Sequence, residues 1–268
     1  GDQRRDVCCA LWKHDNDTVG VNGPTAITVG KWDRALATKE LGKESSKGTG
    51  INFPLMRYSD VLLMLAEAEN ELNGPTELAK DALIAVRTRA FEGHGNVAEQ
   101  VYNYVLNAAS SKESFFNAIV DERAWEFGGE GLRRFDLIRW NLYAKKLEEA
   151  MRTMLVWGIA QNQDLMMDES VKAAYPDVDK YANWADYLYY KLGSSSNNTK
   201  SRVEWLNTKY KLEEGTDVSG WYRLNWGSSM LKRVRTYIYN GTSYTACTKT
   251  TDASTGVKTY VLGEGSSA

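Results

Sequence analysis

At 268 residues with a formal charge of −2, the chain is long enough to bury a substantial core. It has neither the basic excess that draws nucleic acid nor a strongly acidic character, so a polyanionic partner is disfavoured. Charged and apolar fractions of 25% and 43% exclude wholesale disorder, and nine tryptophans with fifteen tyrosines supply flat rings suited to cores and to ligand platforms.

Residues 1–50 read as irregular, with turn clusters at Asn22-Gly23-Pro24 and from Gly42 to Gly48, and a short extended piece at Ala26-Ile27-Thr28-Val29. The N-terminus lacks the apolar stretch of a signal peptide, and no run approaches the ~20 apolar residues that span a membrane. Cys8, Cys9 and Cys247 form no regular framework and no Cys-x-x-Cys pair, so no metal site or other cofactor is expected; one bridge to Cys247 stays open.

From Leu55 the pattern turns helical. Val61, Leu65, Ala68 and Leu72 step along one stripe, Asn73-Gly74-Pro75 ends the helix, and Thr76 caps the next. That second helix runs to about Phe91 with Ala79, Ala82, Val86 and Ala90 buried, and the short link demands an antiparallel pair. Val97, Val101, Tyr104, Val105 and Ala108 predict a shorter helix. Ser111 or Ser114 then caps one carrying Phe116, Ile119, Val120, Arg123 and Phe127. Gly128-Gly129-Glu130-Gly131 interrupts it, and a further helix is predicted from Leu132 to about Met154. Trp125, Trp140 and Trp157 fall in helical text and read as core, and Trp32 beside Lys31 reads as scaffold.

After Trp157 the chain is aromatic-rich and loses clean periodicity; the polar run 193–199 reads as a mobile loop. Tyr237 and Tyr239 lead through Asn240-Gly241 to Tyr244 and Cys247, a hairpin signal, with a third strand between Val257 and Leu262. The predicted fold is mainly α: TPR-like helix pairs over about 52–156, then an irregular, aromatic-rich region with a small β-hairpin element over about 157–268.

The segment Asn52-Phe53-Pro54-Leu55-Met56-Arg57-Tyr58-Ser59-Asp60-Val61-Leu62-Leu63-Met64-Leu65-Ala66-Glu67-Ala68 resembles a phrase of the SusD/RagB family. A second match, from Glu122-Arg123-Ala124-Trp125-Glu126-Phe127 through Gly131-Leu132-Arg133-Arg134-Phe135-Asp136 to Trp140, resembles that family more closely still. Asp2-x-Arg4 and Lys31-Trp32 resemble weaker marks. The resemblance implies a lipid-anchored, surface-exposed protein of the bacterial outer membrane with a TPR-like helical side. Such proteins bind glycans without catalysis and deliver them to a SusC-like TonB-dependent transporter. It also implies that the chain represents a C-terminal half, so neither Cys8 nor Cys9 is taken for the lipid anchor. The family's closing Pro- and Asn-rich segment is absent as well.

Glu122, Arg123, Glu126, Glu130, Arg133 and Asp136 are the place to look for acid/base chemistry, since Glu122 and Glu126 lie one helical turn apart. Arginine forks nearby would keep those carboxylates ionised, so the cluster is read as a structural network. Asp15-Asn16-Asp17 lacks the remaining ligands of a calcium loop, and His14 and His94 are isolated. Trp12, Trp184, Tyr187, Trp221 and Trp226 lie among polar neighbours and are the candidates for stacking on a sugar ring. Two rival readings are an all-helical glycoside hydrolase and a TPR-like protein-interaction scaffold.

Overall fold

The computed structural model describes residues 2–10, 12–15, 18–21, 27–32, 52–93, 96–160, 166, 169–185, 187–192, 203–207, 210–225, 237–239, 244–251 and 258–262. The chain forms two compact units, one holding most of residues 1–140 and the other most of 141–268.

The first unit is built on helices. α1 (Arg4–Cys8) is followed by β1 (Trp12–Asp15) and β2 (Thr18–Val21), which pair antiparallel with Asp15 opposite Thr18. The strands flanking residues 16 and 17 thus form a hairpin. Thr28 makes an antiparallel bridge to Ala10, so the extended piece predicted there exists. α2 (Tyr58–Asn73) and α3 (Glu77–Phe91) form the expected TPR-like pair. Gly74, at φ 81°, ends α2, and Thr76 caps α3 by accepting the Ala79 N–H at 3.4 Å. A π-helix (Ala98–Asn103) runs directly into α4 (Tyr104–Ala108), where a single short helix was predicted. α5 (Lys112–Glu126) is capped by Ser111, whose Oγ accepts from Ser114 N at 3.0 Å.

The core of this unit joins Leu63 and Ala66 of α2, Ala79, Ala82, Leu83 and Val86 of α3, Val105 of α4, and Phe115, Ala118 and Ile119 of α5. Fully burying one such large side chain contributes about 1.5–3 kcal/mol. The α3 stripe is buried as predicted, including Ala90. The α2 stripe is not. Val61, Leu65, Ala68 and Leu72 are exposed, Leu72 at 80%, while Ser59, Asp60, Leu63, Ala66 and Asn70 face inward. Both faces of α2 carry apolar residues, and the packed one is that which meets α3 and α5. Trp125 is likewise 43% exposed rather than core, while Trp157 is buried.

The predicted helix 132–154 is divided. α6 (Arg133–Arg139) stops at Trp140, and Asn141, at φ 56°, takes the left-handed conformation before α7 (Tyr143–Ala160) starts. α7 belongs to the second unit. There it packs with α8 (Glu169–Ala174) and α9 (Asp179–Ala182) through Leu155, Val156, Trp157, Ile159, Tyr175, Val178 and Tyr181. A three-stranded sheet in the order β4 (Val203–Trp205), β3 (Tyr187–Leu192), β5 (Tyr222–Asn225) follows. A second sheet pairs β6 (Tyr237–Tyr239), β7 (Tyr244–Thr251) and β8 (Lys258–Leu262), the hairpin and third strand that the sequence predicts. The polar run 193–199 lies outside the described residues.

One glycine in the helix break is required twice over. Gly129 has φ +82°, and a Cβ there would lie 2.6 Å from Val29 Cγ1. Gly131, at φ +78°, has no atom within 4 Å of such a Cβ. We expect Gly129→Ala to lower unfolding stability by about 2 kcal/mol or more, and Gly131→Ala by about 1 kcal/mol. Equal midpoints for both variants in denaturant titrations would refute a role for Val29.

Candidate functional site

Strand alternation builds the candidate ligand surface in the second unit. Along β3, Tyr187, Tyr189 and Lys191 point to one side and Leu188 and Tyr190 to the other. On the second side Tyr190 and Leu224 are buried, with Tyr190 stacked on Tyr222 at 5.6 Å and tilted against Trp205 at 6.0 Å. On the first side Tyr187, Tyr189 and Lys191 are half-buried and Arg223 is exposed. Register places Arg223 opposite Tyr189, and its guanidinium carbon lies 4.5 Å from the centre of the Tyr187 ring. Lys191 Nζ lies 4.3 Å from the Trp221 ring. Rings and cations therefore alternate across one half-buried face.

Local hydrogen bonds hold that face in shape. The Asn207 side chain accepts from Tyr189 N at 2.9 Å and donates to the Tyr187 and Tyr210 carbonyls at 3.0 Å each. Before Trp221, the Trp221 N–H reaches the Val218 carbonyl, and Asp217 Oδ1 accepts the Ser219 N–H at 2.8 Å. Hydrogen bonds from the Ser219 side chain and backbone hold the Asp217 carboxyl below its ordinary range. The face thus offers rings, two cationic donors and an ionised acceptor, the mixture that a polyhydroxylated ligand needs. Tyr187 and Lys191 are four strand steps apart, about 13 Å.

Of the five sequence candidates, Tyr187 and Trp221 come together here. Trp184 does not. It packs at 4.6 Å on Tyr181 and 5.8 Å on Trp157. Trp12 lies in β1 opposite Val21, and Trp226 lies outside the described residues, as does His94. Tyr189, Lys191, Arg223, Asn207 and Asp217 are not among the sequence candidates. The period-two run Tyr187–Lys191 was the available signal for the first two.

In the first unit the acidic cluster is spent on ion pairs. Glu122, fully buried, accepts from Arg4 Nη1 at 2.6 Å on one oxygen and from Arg87 Nη1 at 2.5 Å on the other. Glu126, with 1% of its side chain exposed, takes Arg57 Nη1 at 2.8 Å, Arg89 Nη2, and Arg4 Nη1 at 3.4 Å. Arg57 forks onto Glu130 at 2.8 and 2.9 Å, and Lys31 shares that carboxylate. Arg123 bridges Asp60 at 2.6 Å and Asp136 at 2.8 Å, and Arg139 links Asp136 to Glu67. Arg133 bonds instead to the Val120 carbonyl at 2.7 Å. Arg87 is buried beneath Tyr104, its guanidinium carbon 3.7 Å from the ring centre, and donates to the Gln100 carbonyl of the π-helix.

Burial alone would push the Glu126 carboxyl up, but hydrogen bonds from Arg89 and Arg57 outweigh it and hold the carboxyl low. Glu130, with Arg57 and Lys31, and Glu67, with Arg139 and Trp140, follow the same balance. For the fully enclosed Glu122, burial wins and the carboxyl is raised despite Arg4 and Arg87. Each carboxylate is already saturated by its partners, so none is placed to exchange protons with a ligand. Among the described residues no group of three or more His, Cys, Asp or Glu could hold a metal ion, and no helix is long and apolar enough to cross a membrane.

Two measurements check the network. Glu126→Gln leaves three guanidiniums short of their counter-charge and is expected to cost about 3 kcal/mol in urea unfolding. Because Glu67, Glu126 and Glu130 titrate below their unfolded value of about 4.3, their contribution is complete above it and disappears as pH falls through their folded values. Glu122 runs the opposite way. The melting temperature is expected to fall between about pH 5 and pH 2; a flat profile there would contradict the pairing.

Comparison with known proteins gives the context of these sites. A family model described as the SusD family matches residues 11–211. The chain is 46% identical over 88 residues to the SusD-like protein P25 of Formosa agariphila, a match covering 33% of this chain and 15% of that protein. It is similar to a crystal structure of a SusD homolog from Bacteroides thetaiotaomicron, with TM-score 0.48 and 29% identity, over 57% of this chain and 32% of the other. The chain therefore spans a minor part of the length of these relatives. With a family model matched across most of its residues, the chain belongs to the SusD family.

Proposed function

We propose that the chain is the C-terminal part of a non-catalytic glycan-binding protein of the bacterial cell surface. In this reading the whole protein is lipid-anchored at the outer membrane and passes oligosaccharide to a SusC-like TonB-dependent transporter. The helical scaffold over about 52–156 serves as support, and recognition falls to the region after about 157.

Family membership supports glycan binding in general, and the observation that carries the reading here is the sheet face on which rings and cations alternate. Tyr187 and Trp221 present rings to the C–H face of a sugar, and Arg223, Lys191 and Asp217 stand ready for its hydroxyls. The separation of about 13 Å between the ends of the face favours an oligosaccharide, since one sugar ring reaches only one of the two aromatics. The carboxylates of the first unit support a binding role without catalysis, because a glycosidase needs one carboxyl that gives up a proton and a second that is free, whereas these are held by arginine and lysine partners.

Calorimetry against a panel of neutral and acidic oligosaccharides tests the reading. Trp221→Ala and Tyr187→Ala are each expected to weaken the best ligand about tenfold. Trp184→Ala should instead cost roughly 3 kcal/mol of stability, as a packed ring does. Unchanged affinity in both platform variants would remove the sheet face from consideration, and steady release of reducing sugar would overturn the non-catalytic reading.

A further inference from the structure

A cleft of about 350 Å³ opens in the first unit, and no residue of the sheet face lines it. It is lined by Arg4, Val7 and Cys8 of α1, by Lys31 and Trp32, by Pro54 and Arg57, and by Arg89 at the end of α3. Its volume is at the low end for small-ligand sites, suited to a single ring. Glu126 and Glu130 form the floor, and they are spent on the cations described above. Trp32 is braced by Phe53, stacked at 5.2 Å with 15° between the planes, so a flat apolar wall is fixed in place.

The cations around this cleft share carboxylates: Arg4, Lys31, Arg57, Arg87 and Arg89 are paired among Asp2, Glu122, Glu126 and Glu130. Of the guanidiniums lining it, Arg89 makes the fewest hydrogen bonds among the described residues. It shares one oxygen of Glu126 with Arg57, and it shares the Ser59 hydroxyl with Arg57 as well. Its side chain is also the most solvent-exposed of the lining cations, at 53%. A guanidinium has five N–H donors in a planar fork, and those of Arg89 beyond Glu126 and Ser59 have solvent to face.

We infer that this cleft binds a sugar acid of the hexuronate class, its ring against Trp32 and its carboxylate on Arg89. The outward donors of one half-exposed guanidinium match a single carboxylate. The aliphatic and aromatic walls of Val7, Trp32, Pro54 and Ala90 match the C–H face of a sugar ring better than they match a bare, hydrated anion. Partial enclosure strengthens the charge-assisted bond, since the local dielectric is lower than that of water. The site shares no lining residue with the sheet face, and a glycan carrying uronate units could engage it whether or not the sheet face binds sugars.

Titration of the 268-residue chain with D-glucuronate, followed by tryptophan fluorescence and by NMR, tests the inference, with D-glucose and acetate as the uncharged and ring-less controls. Saturable glucuronate binding is expected, weakened by added salt and reduced about tenfold in Arg89→Gln, with substantial recovery in Arg89→Lys. Trp32→Ala is expected to weaken it by a similar factor. Melting curves of each variant establish that it is folded before its affinity is compared. Absence of saturable binding, glucose binding as tightly as glucuronate, acetate competing as well as glucuronate, or unchanged affinity in folded Arg89→Gln would each overturn the assignment. Loss of glucuronate binding in Trp221→Ala but not in Arg89→Gln would move the ligand to the sheet face and overturn it equally.

Discussion

The pairing of Glu122 and Glu126 with arginines from separate elements is the constraint on which the first unit rests. Two carboxylates one turn apart on α5 are driven into a region with almost no water, where an unpaired charge costs several kcal/mol. Each must therefore bring a guanidinium with it, and those guanidiniums arrive from α1, from α3 and from the segment entering α2. A buried ion pair adds little net stability over an apolar packing of the same shape. What it adds is geometry: an arginine fork accepts a carboxylate only in its own plane, so these helices have one mutual arrangement that satisfies every charge. The glycine break after α5 serves the same end by turning Glu130 back toward Arg57 and Lys31.

The two units use the same residue types to opposite effect. In the first, arginines lie against rings and carboxylates in enclosed surroundings, as Arg87 does beneath Tyr104 and beside Trp125, and their donors are consumed internally. In the second, Lys191 and Arg223 lie over Trp221 and Tyr187 on a sheet face where Arg223 is exposed. A cation over a ring is rigidifying in both places, but only where water reaches it can a ligand replace that water.

Much of the helical unit was legible in the sequence because its signals are local. Thr76 and Ser111 cap where capping chemistry says they should, and the α3 stripe of Ala79, Ala82, Val86 and Ala90 has one apolar face to bury. The Glu/Arg stretch was read as a network from its composition, but its partners Arg4, Lys31, Arg57, Arg87 and Arg89 come from distances in sequence that no periodicity encodes. α2 misled because both of its faces are apolar, and only the position of α3 and α5 decides between them. The stop at Trp140 carries no glycine or proline; Asn141 supplies the turn by tolerating a positive φ. On β3 the aromatic residues Tyr187, Tyr189 and Tyr190 occupy both faces, which hides the alternation that defines the ligand surface.

The side chain of Asn207 has a further consequence for behaviour in solution. β4 is only three residues long, and among the described residues no strand pairs with the Tyr187–Tyr189 stretch of β3 on that side. An exposed edge of this kind, rich in tyrosine, is a template for adding a strand from another molecule and hence for aggregation. Asn207 occupies it with an amide that mimics a peptide group, accepting from Tyr189 N and donating to the Tyr187 carbonyl. The sheet can thereby keep an aromatic face exposed for recognition while denying its backbone edge to neighbouring chains.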